Sequence, residues 1–320
     1  MPVKALLLLV VVVSFALSAG GANFAASFGA ACGSGVVRRK EALLLFTLFV
    51  TLGAVLLGGF VGSTLSGGIV PAGAIDFSAS LVIIAAAMVS LSLANLLKIP
   101  QSTSLITVGA ILGVGLGLGQ INIRTFLFLI PMWVILPLAG YLSTLCLGRF
   151  FYPPRHGNLR LYEKMAAHEG KLKAFVMVSS CYDAFAIGTN NVANVVGPLA
   201  GGGVVNAGLG FLLIAPLFGL GGVFFRGAFH TAGKEIVPLG TFTAALTCFI
   251  PSTLMITASA MGVPQSFVHL KMASIFAVAS LKDGHGVTVR GRLARKTLAT
   301  WTISPLLSVA ISYLLFRGIK

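Results

Sequence analysis

The stretch Gly188-Thr189-Asn190-Asn191-Val192-Ala193-Asn194 places three side-chain amides within five residues of otherwise apolar sequence. A buried amide costs free energy unless its donors and acceptors all find partners. A shorter relative, Gly21-Ala22-Asn23-Phe24-Ala25-Ala26-Ser27, lies near the N-terminus. Either stretch alone is compatible with a close helix contact joined by polar side chains. The alternative is that each forms half of a binding site, and this depends on whether the chain is a repeat.

The composition predicts an integral membrane protein. Hydrophobic residues make up 57% of the chain, charged residues only 9%, and the mean hydropathy is +1.00. Apolar runs near the roughly 20 residues that span a bilayer recur along the chain. The net charge of +15 comes from basic residues in short loops, which membrane orientation explains. We therefore expect membrane lipid as a partner and exclude nucleic acid.

The chain is predicted to be two homologous halves. Landmarks recur in one order at nearly constant offsets of 167, 164 and 168 residues. They are Gly21-Ala22-Asn23 with Gly188-Thr189-Asn190, Ile69-Val70-Pro71 with Ile236-Val237-Pro238, Pro100-Gln101-Ser102 with Pro264-Gln265-Ser266, and Trp133 with Trp301. This assigns residues 1–150 to a first transmembrane repeat, 151–170 to a cytoplasmic linker, and 171–320 to a second, inverted repeat.

Each half contains five apolar stretches. They cover about 4–36, 41–62, 77–98, 101–120 and 124–148, then about 174–203, 208–230, 239–261, 265–281 and 297–316. An odd number of crossings inverts the second half, so we predict an all-α, inverted-topology repeat transporter with broken helices. The first stretch is expected to break at Gly20-Gly21. Some stretches could instead form hairpins.

Basic residues predict the orientation. The segments 38–40, 149–173 and 282–296 are basic and fall on one side of the predicted membrane, which assigns that side to the cytoplasm. Both termini then lie outside a multi-pass protein of the cell membrane. The N-terminal run resembles a cleavable signal peptide, but the uncleavable counterpart in the second half argues against that alternative.

The two Pro-Gln-Ser segments predict helix starts inside the membrane. Such starts present unpaired N–H groups and the positive end of the helix dipole, which bind anions. We therefore predict an anion site where four interrupted segments meet. Its predicted substrate-binding residues are Asn23, Ser27, Gln101, Ser102, Thr103, Asn190, Asn191, Asn194, Gln265 and Ser266, and Ser104 adds a further donor.

These motifs resemble the signature of the inorganic phosphate transporter (PiT) family. The segment Gly188–Asn194, followed by Gly197-Pro198, is similar to its Gly-Ala-Asn-Asp-Val-Ala-Asn-Ala element, and both Pro-Gln-Ser segments fall where its other elements lie. The resemblance covers essentially the whole chain. It implies an inverted-repeat symporter, not an enzyme, that carries an oxyanion with Na⁺ or H⁺ and uses no other cofactor.

Two departures from the family pattern concern specificity. Phe24 and Asn191 stand where phosphate transporters of the family have aspartates. An aspartate can accept the proton of a protonated phosphate, whereas sulfate is a pure acceptor that a carboxylate would repel. The chain looks closest to the sulfate permease (CysP-type) branch, which implies sulfate import. A phosphate symporter, an anion channel and a membrane scaffold remain alternatives.

Three ionisable side chains within apolar spans are candidates for ion coupling: Asp183, His269 and Lys271. Asp183 is predicted to accept a coupling proton, and the alternative is a structural salt bridge with Lys271. His269 and Lys271 could add positive charge near the anion, and the alternative for His269 is a buried, satisfied side chain. No spacing predicts a metal site. A homodimer is left open.

Overall fold

The structure, a computed structural model, describes residues 2–96, 102–151, 156–160, 163–164, 168–224 and 241–319. All regular secondary structure in those ranges is helical. The helices of the first half are α1 (Pro2–Gly33), α2 (Arg39–Ser63), α3 (Phe77–Leu96), α4 (Thr103–Leu118) and α5 (Ile123–Phe151). Those of the second half are α6 (Glu169–Asn191), α7 (Ala193–Gly201), α8 (Ala207–Phe224), α9 (Thr241–Ala260), α10 (Phe267–Asp283), α11 (His285–Arg290) and α12 (Arg292–Ile319).

The predicted apolar stretches correspond to helices throughout the described ranges. A π-helical turn, Thr64–Gly68, extends α2, and the short α11 was not predicted. Five described helices are long and apolar enough to cross a membrane, namely Val3–Gly29, Arg39–Gly68, Ile123–Phe150, Ala207–Phe224 and Thr297–Ile319. Three apolar helices are shorter, including α4, which is about 24 Å long at 1.5 Å per residue. The chain is therefore a multi-pass membrane protein.

The two halves are interleaved by reciprocal helix packing. Helix α1 packs on α8, and α2 packs on α6, so the first apolar element of each half contacts the second of the other. In the same way α4 packs on α12, and α5 packs on α10. Each half therefore completes the core of the other.

Hydroxyl groups join the second set of helix pairs. Ser308 and Ser312 on α12 donate to the carbonyl oxygens of Ile106 (2.7 Å) and Ala110 (2.6 Å) on α4. Thr144 on α5 donates to Ser274 on α10 at 2.9 Å. Such bonds between apolar helices are typical of membrane proteins, where lipid offers no competing partner.

The predicted break at Gly20-Gly21 is wrong, because α1 runs without interruption from Pro2 to Gly33. The glycines serve packing instead. A Cβ on Gly20 would overlap the backbone of Phe218, and one on Gly221 would overlap Leu17 and Gly21. Their missing side chains let α1 and α8 approach closely, as small residues do in membrane interfaces.

The second amide motif lies on α6 and α7, and Val192 between them keeps right-handed helical dihedral angles (φ −65°, ψ −32°), so the predicted helix break is not confirmed here. Helix α6 continues through Gly188 to Asn191, and α7 begins at Ala193, with Val192 between them. Gly188 lies against the backbone of Val50 and Ala54 on α2. Asn191 is therefore the last residue of α6, and Asn194 lies in the first turn of α7.

Candidate functional site

Helices α4 and α10 begin with the same cap. The Ser102 hydroxyl oxygen accepts a hydrogen bond from the Leu105 N–H at 3.1 Å, and the Ser266 oxygen accepts one from the His269 N–H at 3.1 Å. Both serines are buried, being 5% and 1% exposed. A serine cap satisfies one of the N–H groups that a helix start leaves without an intrahelical partner. Both Pro-Gln-Ser segments therefore lead into capped, buried helix starts, as predicted.

The two helix starts meet. Ser104 in the first turn of α4 donates to the Gln265 carbonyl oxygen, just before α10, at 2.9 Å. The positive ends of two helix dipoles consequently converge on one buried region. That arrangement favours negative charge without requiring a lysine or arginine.

Asn191 links the end of α6 to α1. Its Nδ2 donates to Asn23 Oδ1 at 2.9 Å, and its Oδ1 lies 3.5 Å from the Ser104 hydroxyl. Asn23 Nδ2 donates back to the Ala19 carbonyl at 2.9 Å. The two asparagines therefore bring the repeated amide motifs together beside the start of α4.

Asn194, in the first turn of α7, contacts the same helix start. Its Nδ2 lies 3.2 Å from Thr103 Oγ1 and 3.0 Å from Ser104 Oγ. Segments from α1, α6–α7, α4 and α10 thus converge, with Ser104 touching three of the polar groups. The prediction was of four interrupted segments at this place; the four segments do meet, but α1 is not interrupted.

The cluster retains unused hydrogen-bonding capacity. Both polar atoms of the Gln265 amide and the Asn194 Oδ1 have no hydrogen-bond partner among the described residues. Gln265 is 0% exposed and Asn194 is 1% exposed. Buried polar atoms without partners cost about 1–3 kcal/mol each, so they indicate a place where a small polar ligand would supply the missing bonds.

Other predicted ligands are already engaged elsewhere. Asn190 Nδ2 donates to Ser259 and to the Val263 carbonyl, both at 2.9 Å, and Asn190 Oδ1 accepts from the Gln265 N–H at 3.0 Å. Asn190 therefore positions the start of α10. The Ser27 hydroxyl donates to backbone carbonyls of α1, one turn beyond Asn23. Gln101 lies outside the described residues.

Asp183 and Lys271 form an ion pair. The sequence left this salt bridge open as the alternative to a coupling role for Asp183. The Lys271 ammonium contacts Asp183 Oδ2 and lies 3.0 Å from Cys248 Sγ, while Ser252 donates to Asp183 Oδ1. Asp183 is fully buried and the Lys271 side chain is 11% exposed. We call Asp183, Cys248, Ser252 and Lys271 the ionic cluster. Its opposite charges compensate each other inside the apolar bundle.

Among the described residues, His269 contacts an aromatic ring rather than an acidic side chain. Its ring stacks on Trp301, with ring centroids 3.7 Å apart and an interplanar angle of 29°. Its Nε2 is buried and has no hydrogen-bond partner in the part of the chain that the structure describes. His269 lies in the first turn of α10, where its backbone N–H donates to the Ser266 cap, and it is not part of the ionic cluster.

Sequence reasoning missed several supporting side chains. Ser252, Cys248 and Ser259 were not predicted, because serine and cysteine within an apolar run usually act as small packing residues. Their partners, Asp183, Lys271 and Asn190, were the only signal, and pairing them required the fold. Within the described ranges, no group of three or more His, Cys, Asp or Glu side chains is placed to hold a metal ion.

Comparison with known proteins identifies the class. Residues 19–153 and 155–312 match the phosphate transporter family, so the chain belongs to this family of transporters and is not an enzyme. Sulfate permease CysP of Bacillus subtilis (strain 168) is 35% identical over 303 residues, which cover 94% of this chain and 84% of that protein. The predicted resemblance to this family and its sulfate permease branch is confirmed.

More distant similarities point to the same family and fold. Sodium-dependent phosphate transporter 2 of Homo sapiens is 32% identical over 175 residues, which cover 49% of this chain and 26% of that protein. A solved structure, described as the sodium-dependent phosphate transporter, superposes with a TM-score of 0.82 at 21% identity, covering 100% of this chain and 99% of that one. This superposition shows that the two chains share a fold.

Proposed function

We propose that the protein imports inorganic sulfate by cation-coupled symport, and that the cluster around Ser104 and Gln265 binds the anion. The observation that carries the proposal is the unpartnered, fully buried Gln265 amide where two helix starts meet. A tetrahedral oxyanion would accept bonds from Gln265 Nε2, from the cap hydroxyls and from first-turn N–H groups.

The described polar side chains of this cluster are amides and hydroxyls, with no carboxylate among them, and this supports sulfate. Asn191 contributes an amide to it, and Phe24 packs among aromatic rings, 5.4 Å from Phe46 and 6.0 Å from Phe28 between ring centroids. Asn191 and Phe24 carry no negative charge, so neither side chain repels a dianion. The likeness to a sulfate permease over 94% of the chain supports the same substrate.

Phosphate is the second candidate, and a specific observation favours it. Gln265 Oε1 and Asn194 Oδ1 are unpartnered acceptors among the described residues. They could accept the hydroxyl hydrogen of HPO₄²⁻, which sulfate lacks. If the Gln265 or Asn194 side-chain amide were rotated by 180°, its N–H₂ group would take the place of the unpartnered oxygen and would donate instead of accept. The orientation of each amide depends on the ligand and on the hydrogen-bond network.

The transport mechanism that we propose is alternating access by two inverted repeats. The reciprocal packing of α1 on α8 with α2 on α6, and of α4 on α12 with α5 on α10, supports a two-fold relation between the halves. The contact between the starts of α4 and α10 supports a site built at helix ends. The basic segments support cytoplasmic placement of the linker, with both termini outside the cell membrane.

Ion coupling is assigned to Asp183, with H⁺ or Na⁺ as the coupling ion. Asp183 is a fully buried carboxylate on α6, which also carries Asn190 and Asn191. Intramembrane carboxylates of this kind typically mark ion or proton pathways. Binding of a cation to Asp183 would weaken its pairing with Lys271, and so could link cation binding to movement of α6.

Isothermal titration of purified protein with sulfate, thiosulfate, molybdate and phosphate tests the assignment. We expect sulfate to bind and phosphate to compete at least about fivefold less well, the low end for one unmatched buried polar group. Competition by phosphate at concentrations similar to sulfate would promote the second candidate. Uptake into proteoliposomes that saturates, and stops when the ion gradient collapses, separates a symporter from a channel.

A further inference from the structure

The ionic cluster lies one layer away from the anion site on three helices at once. At the site, α6, α9 and the start of α10 meet through Asn190, Ser259 and Gln265. In the ionic cluster the same three helices meet again through Asp183, Ser252 and Lys271. Asp183 is seven positions from Asn190, Ser252 is seven from Ser259, and Lys271 is six from Gln265. Six or seven residues span about 9–10.5 Å along a helix axis.

The direction of this displacement is the same for all three helices. From the site, the ionic cluster lies toward the Glu169 end of α6, the Thr241 end of α9 and the Asp283 end of α10. The Glu169 end follows the linker between the halves, so we call this the linker side of the site. An anion that leaves the site toward the linker side between these helices would pass the ionic cluster.

The first half has no equivalent charges. At the offsets of the repeat, 167 for α6 and 164 for α10, Ala16 occupies the position of Asp183 and Thr107 the position of Lys271. Both are buried, and the Thr107 hydroxyl has no hydrogen-bond partner among the described residues. The two halves are therefore alike in their site motifs and different in the layer behind them.

We propose that Asp183 and Lys271 are positioning residues that hold α6 and α10 together and close the linker side of the anion site. They do not touch the substrate in this role. The proposal rests on the proposed transport function, because it assigns the pair to one of the two routes that alternating access requires. In alternating access this layer must separate when the linker side opens. That requirement explains why the second half has an ion pair here, where the first half has Ala16 and Thr107.

Side-specific labelling tests the proposal. The reporter is Ser27→Cys, one helical turn from Asn23, in a background without native cysteines and with Cys248→Ser to keep a polar partner for Lys271. A membrane-impermeant maleimide is applied to oriented vesicles from each side. The test variant is Asp183→Asn with Lys271→Met, which removes both charges and leaves no unpaired ion. The matched control is Thr107→Val.

We expect the double variant to label at least tenfold faster from the linker side and unchanged from the other side, with the Thr107→Val control unchanged from both. The swapped pair, Asp183→Lys with Lys271→Asp, should restore slow labelling. A rate that is unchanged in the double variant, or raised equally from both sides, overturns the proposal. Sulfate titration of the same proteins tests the two proposals separately. If the wild-type protein does not bind sulfate, the proposed transport function is refuted. The labelling pattern alone decides whether Asp183 and Lys271 close the linker side.

Discussion

The Ser104 hydroxyl donates to the Gln265 carbonyl oxygen across 161 residues of sequence, at 2.9 Å. This bond joins the start of α4 to the start of α10, and so joins the two repeats at their equivalent helix ends. The Gln265 backbone is used in this bond, while its side-chain amide has no hydrogen-bond partner among the described residues.

Gln265→Met should separate stability from binding. Methionine has a similar volume and no polar atoms, so the variant should be at least as stable as the wild type, because two unpartnered buried atoms are removed. Sulfate affinity should fall about tenfold to 150-fold, the value of a lost bond to a charged group of roughly 1.5–3 kcal/mol. Thermal unfolding and titration measure the two effects. A variant that keeps wild-type affinity would remove Gln265 from the site.

Ser102→Ala and Ser266→Ala should both weaken anion binding and lower stability. Each serine caps its helix through a 3.1 Å bond, and losing such a cap costs about 0.5–2 kcal/mol. If each hydroxyl hydrogen donates to the anion, as we propose, sulfate affinity should fall as well. If the melting temperature drops while the dissociation constant is unchanged, the serines act only as caps.

Asn191→Asp should reduce sulfate affinity by about tenfold or more. The new carboxylate would face Asn23 Oδ1, which now accepts a bond from Asn191, and would add negative charge beside a dianion. Phosphate could gain affinity, because an aspartate can accept its proton. Asn122→Asp, an exposed helix start, is the matched control and should bind normally. Unchanged sulfate binding in Asn191→Asp would place the anion elsewhere.

Asp183→Asn should retain sulfate binding and equilibrium exchange of labelled anion while losing uphill accumulation. Exchange need not move net cations, whereas accumulation depends on them. The substitution also leaves Lys271 without its ionic partner, so Asp183→Asn with Lys271→Met is tested in parallel to keep the buried layer neutral. Normal accumulation by both proteins would make Asp183 structural.

Cysteines introduced at Gly157 and Gly286 should label only from the cytoplasm, and one at Ala72 only from outside. All three positions are exposed, and a Cβ at either glycine meets nothing within 4 Å. The expectation follows from five crossings per half with basic loops inside. Labelling of Gly157 and Gly286 variants from opposite sides would exclude that count for the second half.

The sequence by itself determined the class of protein, the helical elements and the motifs of the site. Hydropathy and a repeat at a nearly fixed offset are properties of the linear chain, so they are readable without contacts. The two Pro-Gln-Ser segments therefore predicted capped helix starts that the structure contains.

Only the tertiary structure decided which way each polar group faces. Asn190 and Asn191 are neighbours in one motif, yet Asn190 binds Ser259 and Val263 within its own half, while Asn191 reaches Asn23 in the other. Successive residues on a helix differ by about 100° in direction, and the rotation of the helix is set by its packing. Close packing on α8 likewise explains why α1 runs straight through Gly20. Long-range packing also brought Asp183 to Lys271, 88 residues away, which no local pattern encodes.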